Sequence, residues 1–526
     1  QTVRDHDDII ALGARLLKDR AFASDGASRR QFARRSAARY LEAFDVSKSS
    51  YAGINAATMT LIAGDVDEAR SFVAERLRVS AGGASMLSAE DSYYRRATQA
   101  EAHLLLGEIP TASALLADAI QTDPSNFVIH AGTLRQFEMI CAALGTDTSW
   151  LDRHRPPPAI FFGGHMFSSD GDKRLQEMLQ SEISAAFDRI RPGFAFGALA
   201  AGTDILMAEL LLARGTELHV VLPMREDDFV DASVKPFGAA WLSRYQECRA
   251  ACRSLRLATF EKHMGEDDTF AFGADFAMGL AIRQANILRT KAVHVAAWDG
   301  ASSGGVAGTG IDVERWRTTN LAQTIIPFPE GLRYRPNRSV SSSQERPRTL
   351  KAMLFADVAG FSKLDERHVQ AFTEKVMTPL ADAVHRLPNQ PLMVATWGDG
   401  IHMVFDHVED GASAAIALLS RMAAIDLVNA GLPNHLALRI GAHYGPVTDT
   451  RDPFTGLTNY SGTHTVIAAR IEPVALPGTA YVSEPFAAIL ALRAPSRFET
   501  DYVGRTDLPK KFGSMRLFSL RARQTV

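Results

Sequence analysis

The sequence predicts three folds in tandem: an α-helical repeat-like domain, a doubly wound α/β domain and an α+β domain. Three observations predict them. Up to about residue 150 the chain is rich in Ala, Leu and Arg at helical spacing; from Pro156-Pro157-Pro158 onward short apolar runs alternate with helical segments; beyond a polar stretch, apolar strands end on acidic residues. The expected divisions are 1–155, 156–332, a linker at 333–348, and 349–526.

At 526 residues the chain exceeds one ordinary core, so it is modular. Acids and bases are mixed to a net charge of −3, which excludes a basic nucleic-acid face. Three scattered cysteines make no disulfide framework and no zinc set, as expected in a reducing cytoplasm. No apolar run has the length of a signal peptide or a membrane span, so no membrane partner is expected, and Gln1 suggests that the natural chain starts upstream.

In the first domain, Ile10, Leu12, Leu16 and Leu17 set the helical period. Gly53-Ile54-Asn55-Ala56-Ala57-Thr58 leads to Leu61 and Gly64-Asp65; Ala97-Thr98-Gln99-Ala100-Glu101-Ala102 leads to Leu105 and Gly107-Glu108. Small residues alternating with Leu, then Gly, then a new helix describe stacked helical hairpins. The pattern resembles a short tetratricopeptide-like array, with a spacing of about 43 residues instead of the usual ~34, and a protein partner is the expected ligand of such a surface; an ordinary helical bundle is the competing reading.

In the second domain, Ala159 to Phe162, Phe194 to Phe196, Leu218 to Leu222 and Val293 to Trp298 read as buried parallel strands, with a helix over Asp204 to Ala213. Glycines follow the strands at Gly163-Gly164, Gly197, Gly202, Gly304-Gly305 and Gly308-Thr309-Gly310, where backbone N–H groups can approach an anion. Gly197 to Gly202 mimics a P-loop, but Thr203 stands where lysine is required. Gly164-His165-Met166, Gly202-Thr203-Asp204 with Glu209, Val221-Leu222-Pro223 and Gly308-Thr309 together resemble the SLOG superfamily of Rossmann-like proteins. That resemblance implies a pocket for a nucleotide-derived ligand, with Asp204 and Glu209 as its acidic groups; an aspartate near a helix start is equally an ordinary cap.

Tyr334 to Ser343 and on to Pro347 is polar, without periodicity, and reads as the linker. The last domain then reads as strand (Met353 to Asp357), helix (about 366 to 386), a strand pair around Gly398-Asp399, helix (about 410 to 429), strand (Leu436 to His443), a helix containing Ala468-Ala469-Arg470, and strands at Ala480 to Val482 and Arg516 to Leu520. This is an α+β sheet of ferredoxin-like kind. Strands ending at Asp357 and turning at Asp399 can bring two carboxylates together at one sheet edge. Hard cations prefer such oxygen ligands, and phosphoryl transfer needs the developing charge neutralised.

Phe355 to Phe361, Gly398-Asp399-Gly400, Arg439 to Val447, Gly462 to Arg470 with Ile471-Glu472, and Pro477-Gly478 before Tyr481 to Glu484 resemble, in order, the motifs of the class III nucleotide cyclases. The resemblance covers essentially the whole domain. It implies cyclisation of a nucleoside triphosphate to a 3′,5′-cyclic nucleotide, Asp357 and Asp399 as ligands of two Mg²⁺ or Mn²⁺ ions, Arg470 on the pentacoordinate phosphorus, Lys510 or its neighbour Lys511 on the triphosphate, and a homodimer sharing its sites. Phe361, Ala395, Asn459 and His464 fall where substrate is bound.

Two positions depart from the family. Ala395 stands where adenylate cyclases carry Lys and guanylate cyclases Glu, and its partner position holds Asn459. Without a donor or acceptor at 395, the base is read by other groups, or a pyrimidine is accepted, or selectivity is poor. Val466 stands at the place of an asparagine that orients ribose and transition state, so that turnover is slowed or His464 substitutes. An active cyclase and a non-catalytic nucleotide-responsive scaffold are both compatible with these substitutions.

Overall fold

A computed structural model describes residues 2–22, 24, 26–77, 88–168, 173–263, 267–301, 305–333 and 348–523, with side chains from Ile9 onward. The expected linker at 333–348 lies outside these residues except at its two ends. The described residues form two compact units, one within residues 2–156 together with 286–290, the other within residues 157–285 and 291–523.

The first unit is helical: α1 (Thr2–Phe22), α2 (Gly26–Ser47), α3 (Ser50–Ala63), α4 (Val66–Phe72) running into a π turn, α5 (Ala89–Leu105), α6 (Ile109–Thr122) and α7 (Phe127–Leu144). The two similar sequence segments lie on α3 and α5, and each is followed by a glycine with positive φ, at Gly64 and Gly107. Alanines on these helices let them approach closely, so Ile54, Ala57, Leu61, Ala100, Leu104, Leu116 and Phe137 share one core. A polar cluster is enclosed by the same helices. Lys18 donates to Asn55 Oδ1 (2.6 Å) and Gln136 Oε1 (2.7 Å), while Thr58 Oγ1 (2.5 Å) and Gln136 Nε2 (2.8 Å) donate to Glu101. Burial pushes the Lys18 amine down to about 8 and the Glu101 carboxyl up, and each hydrogen bond offsets part of that desolvation.

The second unit contains two sheets. The first is built from β1 (Ala159–Gly164), α8 (Lys173–Ile190), β2 (Phe194–Gly197), α9 (Thr203–Ala213), β3 (Glu217–Leu222), α10 (Glu226–Ser233), α11 (Ala239–Ala251), β4 (Ser254–Leu257), α12 (Asp267–Leu288), β5 (Ala292–Trp298), α13 (Thr309–Arg317) and β6 (Ala322–Pro327). All six strands are parallel, in the order β4-β3-β2-β1-β5-β6. Apolar residues on both faces of the central strands force helices onto both sides, and each fully buried Phe, Leu or Ile contributes about 1.5–3 kcal/mol. The short strands β4 and β6 were not legible in the sequence: every residue of β4 is half-buried, and β6 begins on exposed Ala322.

The second sheet follows from β7 (Thr349–Ala359), α14 (Glu366–Phe372), α15 (Thr378–His385), β8 (Met393–Trp397), β9 (Gly400–Phe405), α16 (Val408–Ala423), β10 (Ala437–Arg451), β11 (Thr458–Ser461), α17 (Thr463–Ile471), β12 (Thr479–Ser483), α18 (Glu484–Arg493), β13 (Phe498–Leu508) and β14 (Gly513–Ala522). Its order is β13-β14-β12-β10-β7-β9-β8, with β11 on β10. The helix expected over 366–386 is broken by a π turn at Thr373–Met377, because Pro379 cannot donate an α-helical hydrogen bond. The strand expected to end at His443 runs on to Arg451. Past Ala442 the strand no longer pairs with β12, and Pro446 is tolerated on that free edge.

Helix α12 joins the two sheets. A Cβ on Gly279 would lie 2.0 Å from the Ala488 carbonyl oxygen, so α12 and α18 meet backbone to backbone. On either side, Asp275 pairs with Arg315 (2.5 Å) and Arg493 (3.0 Å), and Arg283 lies over the Phe518 ring (4.2 Å). Burial pushes the Arg283 guanidinium down to about 10, still far above neutrality. A cation held over an aromatic face in such a place stabilises the contact by about 2 kcal/mol.

Candidate active site

Strands β7 and β10 pair antiparallel with Asp357 opposite Arg439. Cross-strand placement brings the guanidinium onto the carboxylate, Nη2 to Oδ2 at 2.6 Å. Strands β8 and β9 turn in two residues, and Gly398 takes the left-handed φ of 66° that the first position of such a turn requires. The second position is Asp399. Its Oδ2 accepts the Val358 amide at 3.2 Å, which fastens the hairpin tip to the end of β7 beside Asp357.

A third carboxylate completes the group. Glu472, just after α17, lies 3.0 Å from Arg439 Nη2. Burial pushes Asp399 up to about 6, with the neighbouring Asp357 adding to it, and Glu472 up to about 7 against the opposing pull of Arg439. Arg439 faces Asp357 and Glu472, and Asp399 beside Asp357 adds a third acid to this group, so carboxylates outnumber the one guanidinium. That surplus fits a divalent cation with oxygen ligands supplied by Asp357 and Asp399, although no cluster of three or more His, Cys, Asp or Glu side chains among the described residues forms a metal cage by itself. Sequence reasoning passed over Arg439 and Glu472 as site residues. The signal was present in the strand register for the first and in the position directly after Arg470-Ile471 for the second.

The other expected residues surround this group. Phe361 packs against Phe372 with the rings tilted (centroids 4.7 Å apart) and borders the Gly398 turn. Ala395 is on β8, opposite His402. Asn459 is on β11, whose Tyr460 packs on the same small apolar cluster as Met393 of β8, although the two strands are not paired. Asn459 spends its Oδ1 on the Tyr460 amide (2.9 Å).

Helix α17 carries Arg470, half-buried and making no hydrogen bond or ion pair among the described residues. The β13–β14 hairpin packs Leu508 and Leu517 against Ile467 and Ile471 of that helix. Lys510 and Lys511 stand at its tip, exposed, both with left-handed φ (60° and 57°) and likewise unpaired among the described residues. His464 does not stand in for an asparagine at Val466. Both its ring nitrogens are engaged in the interior, by His443 (2.7 Å) and Thr259 (3.0 Å), whereas Val466 is exposed.

In the parallel sheet, strand order reverses between β1 and β5, the point at which open α/β sheets bind ligands beyond the carboxyl ends of their strands. His165 after β1 pairs with Asp299 after β5 at 3.0 Å, and burial holds its imidazole below the ordinary value despite that partner. Asp204 accepts the amides of Gly164 (3.0 Å) and Ala200 (3.3 Å), and Thr203 Oγ1 donates to the His165 carbonyl (2.8 Å). Burial pushes Asp204 up to about 7, against those two amides, and pushes Asp312 of α13 up to about 7 as well. Gly164, His165, Gly202, Thr203 and Asp204 are thus gathered, and Gly308-Thr309 opens α13. Glu209 is not part of the group: its carboxylate is held in a bidentate pair by Arg244 of α11 (2.6 and 2.5 Å). Asp299 and Asp312 were not anticipated from sequence.

Residues 345–522 match the family model of the adenylate and guanylate cyclase catalytic domain, and residues 1–60 match that of the Tetratricopeptide Repeats-Sensor domain. Among solved structures the chain is similar to the guanylate cyclase domain of RhGC from Catenaria anguillulae in complex with GTP, at 18% identity over 34% of this chain and 100% of that one, TM-score 0.29. It is also similar to the adenylyl cyclase CyaB from P. aeruginosa (13% identity, 34% and 96% covered, TM-score 0.29) and to an adenylate cyclase from Trypanosoma brucei (20%, 35% and 94%, TM-score 0.29). No curated protein sequence matches the chain.

Proposed function

We propose that this chain, whose residues 345–522 are an adenylate and guanylate cyclase catalytic domain, converts a nucleoside triphosphate to a 3′,5′-cyclic nucleotide and pyrophosphate at a site shared by two copies. The observation that carries the reading is the joining of Asp357 and Asp399 by the β7 end and the β8–β9 turn. These two carboxylates would hold Mg²⁺ or Mn²⁺, two ions per site, and the metal would acidify the ribose 3′-hydroxyl and neutralise the triphosphate.

The chain's own residues do the rest. Arg439 fixes Asp357 through its Oδ2 and sets the separation from Glu472. Arg470, unpaired among the described residues, supplies a planar guanidinium to the oxygens of the α-phosphoryl group as charge accumulates there. Lys510 binds the β- and γ-phosphates. Ala395 leaves the base edge without a donor or acceptor at its position, and a pyrimidine nucleotide fits that space.

Arg470, Lys510 and Lys511 have no intrachain partner among the described residues, and apolar side chains near the site face solvent: Val394 and Trp397 on edge strand β8, Phe454 (96% exposed) and Leu457 between β10 and β11. A second copy would cover such a surface and complete the site. The carboxyl edge of the parallel sheet at Gly164, His165, Asp204 and Asp312 would take a nucleotide-derived ligand as in SLOG-like proteins, and the helical unit a protein partner, both regulating turnover.

A second reading, a nucleotide-responsive scaffold, is favoured by Val466, which offers no hydrogen bond where the family uses asparagine. The deciding experiment incubates purified protein with ATP, GTP, CTP and UTP separately in Mn²⁺ and seeks cyclic products by mass spectrometry. A cyclic product that disappears in Asp357→Ala establishes the enzyme; absence of any product from all four nucleotides sinks it.

A further inference from the structure

The amino end of α17, the helix of Arg470, is not capped by its own sequence. Gly462 occupies the cap position and has no side chain, so the first turn lacks a local acceptor. The acceptor comes from the parallel-sheet domain: Glu261, four residues beyond β4, takes the Thr463 amide at 3.3 Å. Two residues earlier in the same segment, Thr259 bonds His464 Nε2 at 3.0 Å, and its Oγ1 also accepts the Glu261 amide at 3.1 Å. His464 continues inward to His443 on β10, and His443 to Ser483 at 2.6 Å. Thr259, His443, His464 and Ser483 are all almost fully buried.

The same segment also grips the start of the strand that leads to Asp357. Arg348, one residue before β7, forms an ion pair with Glu261 and donates to the Lys262 carbonyl at 3.1 Å. Residues 259–262 therefore hold the beginnings of both elements on which the expected chemistry depends. The segment lies at the carboxyl edge of the parallel sheet, the edge that also carries Gly164 and the Asp204 carboxyl bonded to it. Little slack exists on the catalytic side, since a Cβ on Gly445 would lie 2.2 Å from His464 Nδ1. A shift of the segment must move α17 rather than be absorbed by a void.

We propose that residues 259–262 couple the parallel-sheet domain to the cyclase, with Thr259 and Glu261 as positioning residues for Arg470. The assignment rests on the cyclase reading above and specifies where regulation would enter. It predicts an effect on the chemical step and not on nucleotide affinity, because neither residue reaches the substrate. A misplacement of about 1 Å at a reacting group costs roughly 10²-fold in rate.

The test uses the full-length chain in three variants. Glu261→Ala removes the cap, Thr259→Val removes the hydroxyl at nearly constant shape, and Arg256→Ala removes a different contact between the same two domains, the pair with Glu484 at 3.2 Å. Expected are kcat losses of roughly 10-fold or more for the first two with KM within about twofold, little change for Arg256→Ala, and amide exchange over residues 463–467 roughly 10-fold faster in the first two alone. Equal losses in all three variants, or a changed KM at constant kcat, overturn the proposal, as does unchanged exchange. Faster exchange in a chain whose wild type makes no cyclic product would sink the cyclase reading while leaving the coupling in place.

Discussion

Gly279→Ala tests the joint between the two sheets. The added Cβ would sit 2.0 Å from the Ala488 carbonyl oxygen and 2.3 Å from its carbonyl carbon, both backbone atoms that cannot rotate away. Carbon and oxygen rest at about 3.5 Å, so α12 and α18 must part by roughly 1.5 Å. Overpacking of that kind costs about 1–3 kcal/mol. The parting also stretches Asp275 from Arg493 and Arg283 from Phe518, which flank the glycine. Alanine repays at most ~1 kcal/mol through its helix propensity, leaving a net loss of about 1–2 kcal/mol and a fall in Tm of about 1–3 °C. Gly132→Ala on α7 serves as the reference, because nothing lies within 4 Å of its Cβ position; there the same exchange should stabilise by about 0.5–1 kcal/mol. Thermal and urea unfolding of the full chain read both. A Gly279→Ala protein as stable as wild type would refute the backbone contact.

Asp204 makes stability depend on pH. Its carboxyl is raised to about 7 in the fold, so the native state holds the proton more tightly than the unfolded chain; this contribution is full below pH ~4 and is lost as pH rises to ~7, up to about 4 kcal/mol for such a shift. Asp204→Asn should cost about 1–3 kcal/mol at low pH, because an NH₂ then faces one of two amides, and should flatten the slope between pH 4 and 7 in urea titrations. Asp399→Asn separates function from stability: kcat should fall by roughly 10² or more, while Tm stays level or rises because crowding with Asp357 is relieved. Val466→Asn on the exposed face of α17 should raise kcat by roughly tenfold in the same assay, and an unchanged rate would remove Val466 as the brake on turnover.

The parts of the molecule that were readable from sequence are those whose chemistry is local. Asp357 and Asp399 were visible because a strand end and a two-residue glycine turn announce themselves in adjacent residues, and β1, β2, β3 and β5 because buried parallel strands are continuous apolar runs. Helix α18 had a readable start as well, with Ser483 capping and Pro485 in the first turn, but its signal merged with that of β12. Arg439 needed the strand register, and Glu472 needed the fold that returns the end of α17 to that strand. Thr259, Glu261 and Gly279 left no local trace at all, since their partners lie about 200 residues away in sequence and no periodicity connects them. His464 marks the limit of motif reasoning: its place on the catalytic helix was legible, and the direction of its side chain was set by a domain that the motif does not contain.

The buried row Ser483, His443, His464 and Thr259 also has a polarity. Each neutral imidazole offers one N–H and one lone pair, so the single bond between the two rings fixes the tautomer of both. Two orders satisfy the row: every proton points from Ser483 toward Thr259, or every proton points the other way. Both are uncharged, and a single additional proton would leave every bond satisfied, with both hydroxyls accepting and the inter-ring bond intact. It is burial, which holds both imidazoles below their ordinary values, that keeps the row unprotonated. The seam between the two domains therefore stays electrically neutral at physiological pH. What passes along it is displacement, or a concerted reversal of hydrogen-bond direction, and never net charge.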